Sequence, residues 1–381
     1  MKNKATLIVA SVLVVLAIIA TVLITVLGSN DVEGYSPVPV SPPPINVSEP
    51  DENEKPVNLD SYILAKKAVI SNLSNLKIGF ASQVDEEFLD KVSQKFGADS
   101  VERLASALEL GHVGEKEFKS IIGYTEKAFL AILNDDLNRT TLLENTANGE
   151  TELVFVGDTG FFDGYSVMNK YNSRGQGIKG LVSEEVIEIM RNATITMANN
   201  EFTFTTRGYP IPHKTWTFRG NPKNVSIYHE LGVDIVGLAN NHAFDFGPDS
   251  LTDTLKTLDD AGIARLGAGE NLDEAKAPYY YIVNGYKIAI VAGSAIDPYS
   301  TRGATDSQSG VFQIFDTVSM SREISAAKEK ADYVIAYVHW GVESTTNLTG
   351  GQKSMGKAFV DAGADVVIGM HSHCIDRKSV V

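Results

Sequence analysis

Six short segments in the second half of the chain share one pattern of hydrophobic and polar positions. Each is apolar along most of its length and ends at Gly, Asn, Asp, Glu or His, which is typical of a buried strand that leads into a functional loop. Helical periodicity separates several of them, at residues 183–191, 251–261 and 321–330. Strands that alternate with helices predict an α/β sheet. The six segments are residues 153–158, 193–201, 233–242, 287–293, 333–341 and 364–373.

The region from residue 60 to 148 has a different pattern, with apolar residues at helical spacing. Val101, Leu104, Ala105 and Leu108 share one helical face, and glycines lie where such helices would end. We expect a small region of about four helices here. The sequence leaves open whether this region is a spacer or a docking surface for a membrane synthase.

The first 28 residues predict a membrane helix. Residues 5–28 carry no charge, and about 20 apolar residues are enough to span a bilayer core as a helix. Lys2 and Lys4 precede this run while Asp31 and Glu33 follow it, so the positive-inside rule places the amino end in the cytoplasm and the rest outside. The run is longer than the apolar part of a cleaved signal peptide. We therefore expect a signal anchor and a single-pass protein of the cell membrane.

A proline-rich stalk is predicted after the anchor, over residues 29–59. Seven of the 13 prolines lie between Pro37 and Pro56. Such a composition cannot bury a core and favours extended polyproline II structure. The stalk would hold the α/β domain, residues 150–381, away from the membrane.

The charge of the chain excludes one class of partner. The sequence has 33 Lys and Arg against 48 Asp and Glu, a formal net charge of −15. All 48 acidic residues but only 31 of the basic ones follow residue 28, so the predicted external part carries −17. A body this acidic repels nucleic acid and anionic lipid beyond local contacts. We therefore expect no nucleic-acid partner.

Side chains of the kinds that bind metal ions lie at the carboxyl ends of the predicted strands. Because the carboxyl ends of parallel strands meet at one edge of a sheet, we expect these side chains to lie together. Imidazole with carboxylate and amide oxygens suits Mn, Zn or Fe. A purely hydrogen-bonded, metal-free role for them stays open. The residues are Asp158, Asn199, Glu201, Asn240, Asn241, His242, Asp245, His339, Glu343, His371 and His373.

The residues and the order of the motifs at these strand ends resemble those of the CapA family. They are GDTGF at 157–161, ANNE at 198–201, LANNHAFDFG at 238–247, LGAGENLDEA at 266–275, HWGVE at 339–343 and GMHSH at 369–373. Members of that family take part in poly-γ-glutamate capsule synthesis and belong to the metallophosphatase-like superfamily. The resemblance covers residues 152–381 and implies a four-layer αββα sandwich, with two facing sheets and helices outside. Because similar chains continue through further strands, it also implies either that the domain is truncated at its C-terminus or that the last strand is supplied differently.

The resemblance implies a role for each strand-end residue. It implies a centre of one or two divalent transition-metal ions, with His242 as the general acid and with Asn199, Asn240, Asp245 and Glu343 around the ligands or the substrate. Two departures limit the match. Asp158 is followed by Thr159 and Gly160 where the superfamily has Asp-x-His, so one imidazole ligand is missing, and Glu201 replaces a bridging aspartate. The implied ligands are Asp158, Glu201, Asn241, His339, His371 and His373.

Two functions are compatible with the sequence. The first is an accessory protein for an anionic polymer such as poly-γ-glutamate, with Arg207, Lys214 and Arg219 as candidate polymer contacts in an acidic body. A merely solvated loop is the alternative for these three bases. The second function is a metal-dependent hydrolase that cleaves a phosphoester or γ-amide bond with a metal-bound hydroxide, while His242 protonates the leaving group.

Overall fold

The computed structural model describes residues 59–374 except Asp297, Pro298 and Ser300, together with the backbone of two strands near the amino end. Its α-helices are α1 (Leu59–Ser71), α2 (Glu86–Phe96), α3 (Ala98–Leu110), α4 (Glu115–Ile122), α5 (Glu126–Leu133), α6 (Ser166–Arg174), α7 (Glu184–Asn192), α8 (Ser226–Leu231), α9 (Pro248–Asp260), α10 (Leu272–Lys276), α11 (Ser319–Lys330) and α12 (Gly350–Asp361).

The strands form two large sheets and three small pairs. They are β1 (Thr6–Ala10), β2 (Thr21–Val26), β3 (Leu76–Lys77), β4 (Val113–Gly114), β5 (Thr140–Leu142), β6 (Thr151–Thr159), β7 (Ile195–Asn200), β8 (Thr203–Phe204), β9 (Arg219–Gly220), β10 (Ile235–Gly237), β11 (Ala264–Leu266), β12 (Ala268–Gly269), β13 (Tyr279–Val283), β14 (Tyr286–Ser294), β15 (Gly310–Val311), β16 (Tyr333–His339) and β17 (Val366–Met370).

Parallel pairing dominates both large sheets. The first has the order β1-β2-β6-β7-β10-β11, and β6, β7, β10 and β11 run parallel. The second has the order β17-β16-β14-β13-β5, in which β14, β16 and β17 run parallel and β13 is antiparallel to β14. The mixed α/β sheets predicted from the alternation of strands and helices are therefore confirmed.

Alternating side chains of β6 reach two different cores. Leu153 and Phe155 pack between the sheets, against residues of β14 and β16 that include Ile290 and Tyr337. Val154, on the opposite face, packs under the helices α7, α8 and α9. A third cluster packs α11 and α12 on the outer face of the second sheet. The two sheets thus face each other with helices on both outer sides, and the carboxyl ends of their parallel strands share one edge.

Five helices, rather than about four, form the region that precedes the sheets. Their buried residues make a separate apolar cluster, which Ile282 of β13 joins. The Thr125 N–H donates to the Gly285 carbonyl at 2.8 Å, and the Thr125 hydroxyl donates to Asp332 Oδ2 at 2.7 Å. The helical cluster is therefore attached to the second sheet where β14 and β16 begin, away from the carboxyl ends of the strands that carry the ligand-type residues.

The predicted membrane helix of residues 1–28 falls mostly outside the described residues. The two pieces of it that are described, β1 and β2, are strands, and β2 pairs antiparallel with β6. A run rich in Val, Ile and Thr has the length of a membrane helix and also the composition of a strand, and the edge of β6 offers it backbone partners. Among the described residues, no helix has both the length and the apolar character that crossing a bilayer requires. The stalk, residues 29–59, lies outside the described residues except for Leu59.

Candidate metal centre

A β-bulge places Asp158 at the edge of the first sheet. The pairing of β6 with β7 runs to Phe155 and Met197 and resumes at Asp158 and Asn199, with one extra residue in β6. Such an extra residue re-aims the side chains that follow it. Asn199 Nδ2 donates to Asp158 Oδ1 at 2.7 Å. The other oxygen, Oδ2, accepts the backbone N–H of His371 at 3.1 Å, so Asp158 ties the first sheet to the loop after β17.

The imidazole of His339 lies at the middle of the cluster. It is fully buried at the end of β16. Its Nε2 atom is 2.7 Å from Asn241 Oδ1, 3.0 Å from His371 Nδ1 and 3.4 Å from Glu201 Oε1. One imidazole nitrogen carries at most one hydrogen, so it cannot satisfy all three neighbours as a donor. More acceptor lone pairs therefore meet around His339 Nε2 than there are hydrogen atoms to form hydrogen bonds with them.

Glu201 belongs to two groups of possible metal ligands. One group is Glu201, His339 and His371, the other is Asp158, Glu201 and His373, and the ligand atoms within each group lie within 4.8 Å of one another. Glu201 Oε1 is buried and has no hydrogen-bond partner among the described residues. Such an oxygen is costly unless a cation or a donor satisfies it. The side chains present therefore fit one or two divalent ions, with Glu201 shared between them.

Burial keeps the two inner histidines neutral. It lowers the pKa of His339 to about 4 and, together with the nearby His339, the pKa of His371 to about 3. Neutral imidazoles offer the lone pair that a metal ligand needs at pH 7. Burial also raises the pKa of Glu201 to about 7, and burial together with Glu201 raises the pKa of Asp158. A bound cation would favour the ionised form of both carboxyl groups.

The loop after β17 holds its two histidines in an uncommon backbone conformation. His371 has a φ of 90° and His373 a φ of 51°. Positive φ is costly for residues other than glycine and persists where the surroundings enforce it, most often at functional sites. The Ser344 N–H fixes this loop by donating to the Ser372 carbonyl at 2.8 Å. His371 is buried, whereas His373 is half exposed, so His373 lies on the open side of the cluster.

His242 lies beside the candidate ligands with its ring fixed by Asp245. The Asp245 carboxylate is fully buried and accepts from three donors: His242 Nδ1 at 2.7 Å, Lys214 Nζ at 2.5 Å and the Phe218 N–H at 2.6 Å. Because Nδ1 donates to Asp245, the lone pair of the neutral ring is on Nε2. This arrangement can accept a proton at Nε2 and return it. Lys214 also donates to the backbone carbonyl of Asn241, a candidate ligand.

Amide side chains connect the loops behind the ligands. Asn240 Nδ2 donates to Asn199 Oδ1 at 3.1 Å, and the His242 N–H donates to Asn240 Oδ1 at 2.9 Å. The structure therefore brings Asn199, Asn240 and Asp245 into the hydrogen-bond network of the centre. Glu343 is exposed and makes no direct hydrogen bond to that network among the described residues, although its charge helps to raise the pKa of Glu201.

The three predicted polymer-binding bases lie in three different environments. Lys214 is inside the centre, bonded to Asp245 as described. Arg207 is exposed and paired with Asp253 at 2.6 Å and with Asp249 at 3.2 Å. Arg219 is half buried, with its guanidinium 4.4 Å from the centre of the Phe246 ring.

One contact of the centre has no signal in the sequence. The ring of Phe218 lies 4.5 Å from the imidazole of His242, centroid to centroid. Phe218 follows a loop with little regular structure, 24 residues before His242 in the chain. Neither periodicity nor a motif indicates this contact, because the tertiary fold alone brings the two rings together.

Glu201→Gln should stabilise the protein at pH 8 after metal has been removed with a chelator. The pKa of Glu201 is raised from 4.5 to about 7 in the folded chain. Below pH 4.5 the Glu201 carboxyl is protonated in both the folded and the unfolded chain. Between pH 4.5 and 7 only the unfolded chain loses this proton, and above pH 7 the full free-energy cost of ionising the buried carboxyl opposes folding. The glutamine variant avoids that penalty, which is about 3 kcal/mol for a pKa rise of this size. Thermal unfolding should therefore show a higher Tm for the variant at pH 8 and no difference near pH 4.

The matched control for this prediction is Glu343→Gln, which removes an exposed carboxylate near the same site. We expect its Tm to equal that of the parent chain near pH 4 and to rise at pH 8 by much less than that of Glu201→Gln, because burial, and only secondarily the charge of Glu343, raises the pKa of Glu201. A Glu201→Gln variant that is no more stable than the parent at pH 8 would contradict the assignment of Glu201 as a buried carboxyl that resists ionisation.

Comparisons with known proteins identify the part of the chain that carries the centre. A family model described as bacterial capsule synthesis protein PGA_cap matches residues 152–381. The capsule biosynthesis protein CapA of Bacillus anthracis is 32% identical over 185 residues, which are 46% of this chain and 43% of that protein. The PGA biosynthesis protein CapA of Bacillus subtilis is 29% identical over 232 residues, which are 59% of this chain and 58% of that protein.

The chain spans about half the length of these curated relatives. Among solved structures, the NAD nucleotidase of Haemophilus influenzae is a weak match, with 13% identity, a TM-score of 0.31 and coverage of 61% of this chain and 38% of that one. The resemblance to the CapA family is confirmed by the family model, which covers more than half of the chain and contains every candidate metal ligand. The chain belongs to the bacterial capsule synthesis protein PGA_cap family.

Proposed function

We propose that this chain is a membrane-anchored protein that acts outside the cytoplasm in the synthesis or export of poly-γ-glutamate or a similar anionic capsule polymer. The observation that carries the proposal is the family match over residues 152–381, together with two relatives that are named for capsule and PGA biosynthesis. The metal centre lies within the matched residues, so we assign it to the same function.

We assign the matched domain to the metallophosphatase-like superfamily, as a four-layer αββα sandwich. Two facing sheets with helices on both outer sides support this assignment. The position of the candidate ligands also supports it, because they follow the carboxyl ends of β6, β7, β10, β16 and β17.

The centre in this proposal binds one or two Mn, Zn or Fe ions through the six candidate ligands. A divalent ion held there would bind carboxylate oxygens of the polymer or polarise a carbonyl or phosphoryl oxygen. The chain's own side chains orient the ligands. Asn199 fixes Asp158, and Lys214 bonds both Asp245 and the carbonyl of Asn241. Partners of this kind usually tune metal affinity by about 10–100-fold.

The topology in this proposal follows from the first 59 residues of the sequence. A helical anchor over residues 1–28, in place of the strands β1 and β2, would keep the amino end in the cytoplasm, and the stalk over residues 29–59 would hold the remaining domains outside. The helical region then faces the membrane side and would dock on a synthase complex, with the polymer at the metal centre.

A metal-dependent hydrolase is the second candidate function, and the pairing of His242 with Asp245 favours it. A binding module has no need of an imidazole whose Nδ1 is fixed at 2.7 Å from a buried carboxylate. Proton transfer at His242 Nε2 suits the cleavage of a phosphoester or of a γ-amide bond. Lys214 and the Phe218 N–H hold Asp245 in place for that role.

Direct binding of polymer tests the first function. We expect the full chain, purified in detergent and loaded with Mn, to bind immobilised poly-γ-glutamate at low ionic strength, where charge screening is weak. An unrelated detergent-solubilised protein of similar net charge serves as the control, since repulsion alone would keep it off the polymer. No binding above that control would count against the proposed function.

A further inference from the structure

Two half-buried arginines lie over aromatic rings of the loop that carries His242. The guanidinium of Arg219 lies 4.4 Å from the Phe246 ring centre, and that of Arg302 lies 4.5 Å from the Phe244 ring centre. Both phenylalanines belong to the loop that carries His242 and is buried around it. A guanidinium over an aromatic face is held by cation–π attraction, which limits its freedom before any ligand arrives.

Neither of these arginines forms an ion pair with a carboxylate of the described residues. Arg219 Nη1 donates only to the backbone carbonyl of Arg207, at 3.5 Å. Arg302 donates to the carbonyl of Ser309 at 3.0 Å and to its hydroxyl at 3.2 Å. Arg207 differs, because Asp249 and Asp253 compensate its charge. Arg219 and Arg302 therefore keep a positive charge that no carboxylate of the described residues balances.

Both arginines belong to segments that contact the centre: Arg219 begins β9, and Arg302 lies in the loop after β14. Arg219 follows Phe218, whose ring contacts His242 and whose N–H bonds Asp245. Arg302 belongs to the loop after β14, which begins where the Ala295 N–H donates to the His339 carbonyl at 3.0 Å. Arg219 thus lies in the small β8–β9 pair, which follows β7 of the first sheet in the chain, and Arg302 lies in a loop that leaves the second sheet.

We propose that Arg219 and Arg302 form a subsite that binds the carboxylate groups of the polymer next to the metal centre, and that Arg207 takes no part in it. This proposal rests on the proposed function. A chain with a net charge of −15 repels a polyanion unless local bases offset the repulsion. Guanidinium is suited to this role, because its planar fork binds a carboxylate through two hydrogen bonds.

Binding of poly-γ-glutamate by charge-neutral variants tests the subsite. We expect Arg219→Gln and Arg302→Gln, each in the metal-loaded full chain, to weaken binding by about 10-fold, since each loses a charge-assisted contact. The double variant should weaken it by about 100-fold if the two sites act independently. Arg207→Gln is the matched control, because Arg207 lies in the loop that leads to Arg219 and its loss should change binding by less than about 2-fold.

Equal Tm and equal metal content in all variants would exclude a folding defect. The variants Arg219→Lys and Arg302→Lys provide a second test, because they keep the positive charge but lose the guanidinium. The lysine variants should bind better than the glutamine variants and less tightly than the parent. The proposal is overturned if the parent binds and the three glutamine variants are alike. It is also overturned if the Arg219→Gln and Arg302→Gln substitutions weaken binding to polyphosphate of matched length but leave binding to poly-γ-glutamate unchanged. A parent chain that binds no poly-γ-glutamate would instead refute the proposed function.

Discussion

His371→Ala should lower the affinity of the full chain for Mn or Zn by at least about 100-fold. Loss of a hydrogen-bond partner of a metal ligand already costs about 10–100-fold, and His371 is a candidate ligand itself. Its Nδ1 lies 3.0 Å from His339 Nε2, so the substitution removes one of the lone pairs that converge on Glu201. Titration calorimetry on protein first treated with chelator measures the affinity directly.

His112→Ala is the matched control for this substitution. His112 is exposed and follows α3 in the helical region, so its loss should leave metal affinity unchanged. The same histidine chemistry is removed in both variants, and only the position differs. An equal and small effect of the two substitutions would show that the cluster around His339 does not bind metal.

His242→Ala should lower kcat by about 10²–10⁴ if the chain is a hydrolase, with little loss of metal. The imidazole supplies the proton-transferring Nε2, while Asp245 keeps Lys214 and the Phe218 N–H as partners in the variant. The network that orients Asn241 is therefore preserved. Release of phosphate from a chromogenic phosphoester and shortening of poly-γ-glutamate measure the two possible activities.

His229→Ala is the control for general effects of losing a histidine, since His229 is exposed on α8. Turnover that is unchanged in His242→Ala would remove His242 from catalysis. Binding of polymer should be nearly the same in both variants, because His242 is assigned to proton transfer and the arginine subsite to binding.

The strands that build the centre could be predicted because their pattern is local. A continuous apolar run followed by Asp, Asn or His indicates a buried strand and its functional end, and β6, β7, β10, β16 and β17 follow this rule. The prediction missed β13, although a signal was present. Asn284 and Gly285 have φ values of 51° and 75°, and an Asn-Gly pair between apolar runs is typical of a tight hairpin turn.

Contacts between distant loops could not be predicted, because no local pattern encodes them. The position of Lys214 in the chain predicts a polymer contact like those of Arg207 and Arg219, yet its ammonium group lies inside the centre against Asp245. Arg302 gave no signal at all, since only the packing of the loop after β14 places it over Phe244. Strand periodicity thus locates the ligands, while the tertiary fold decides which bases lie near them.

Metal content tests the central claim most directly. The account predicts that the full chain, purified without chelator, contains about one to two equivalents of Mn, Zn or Fe by elemental analysis, since two groups of ligands share Glu201. After chelation and removal of the chelator, added metal should restore that amount and raise the Tm. A content below about one-tenth of an equivalent, with no shift of Tm on adding metal, would contradict the account.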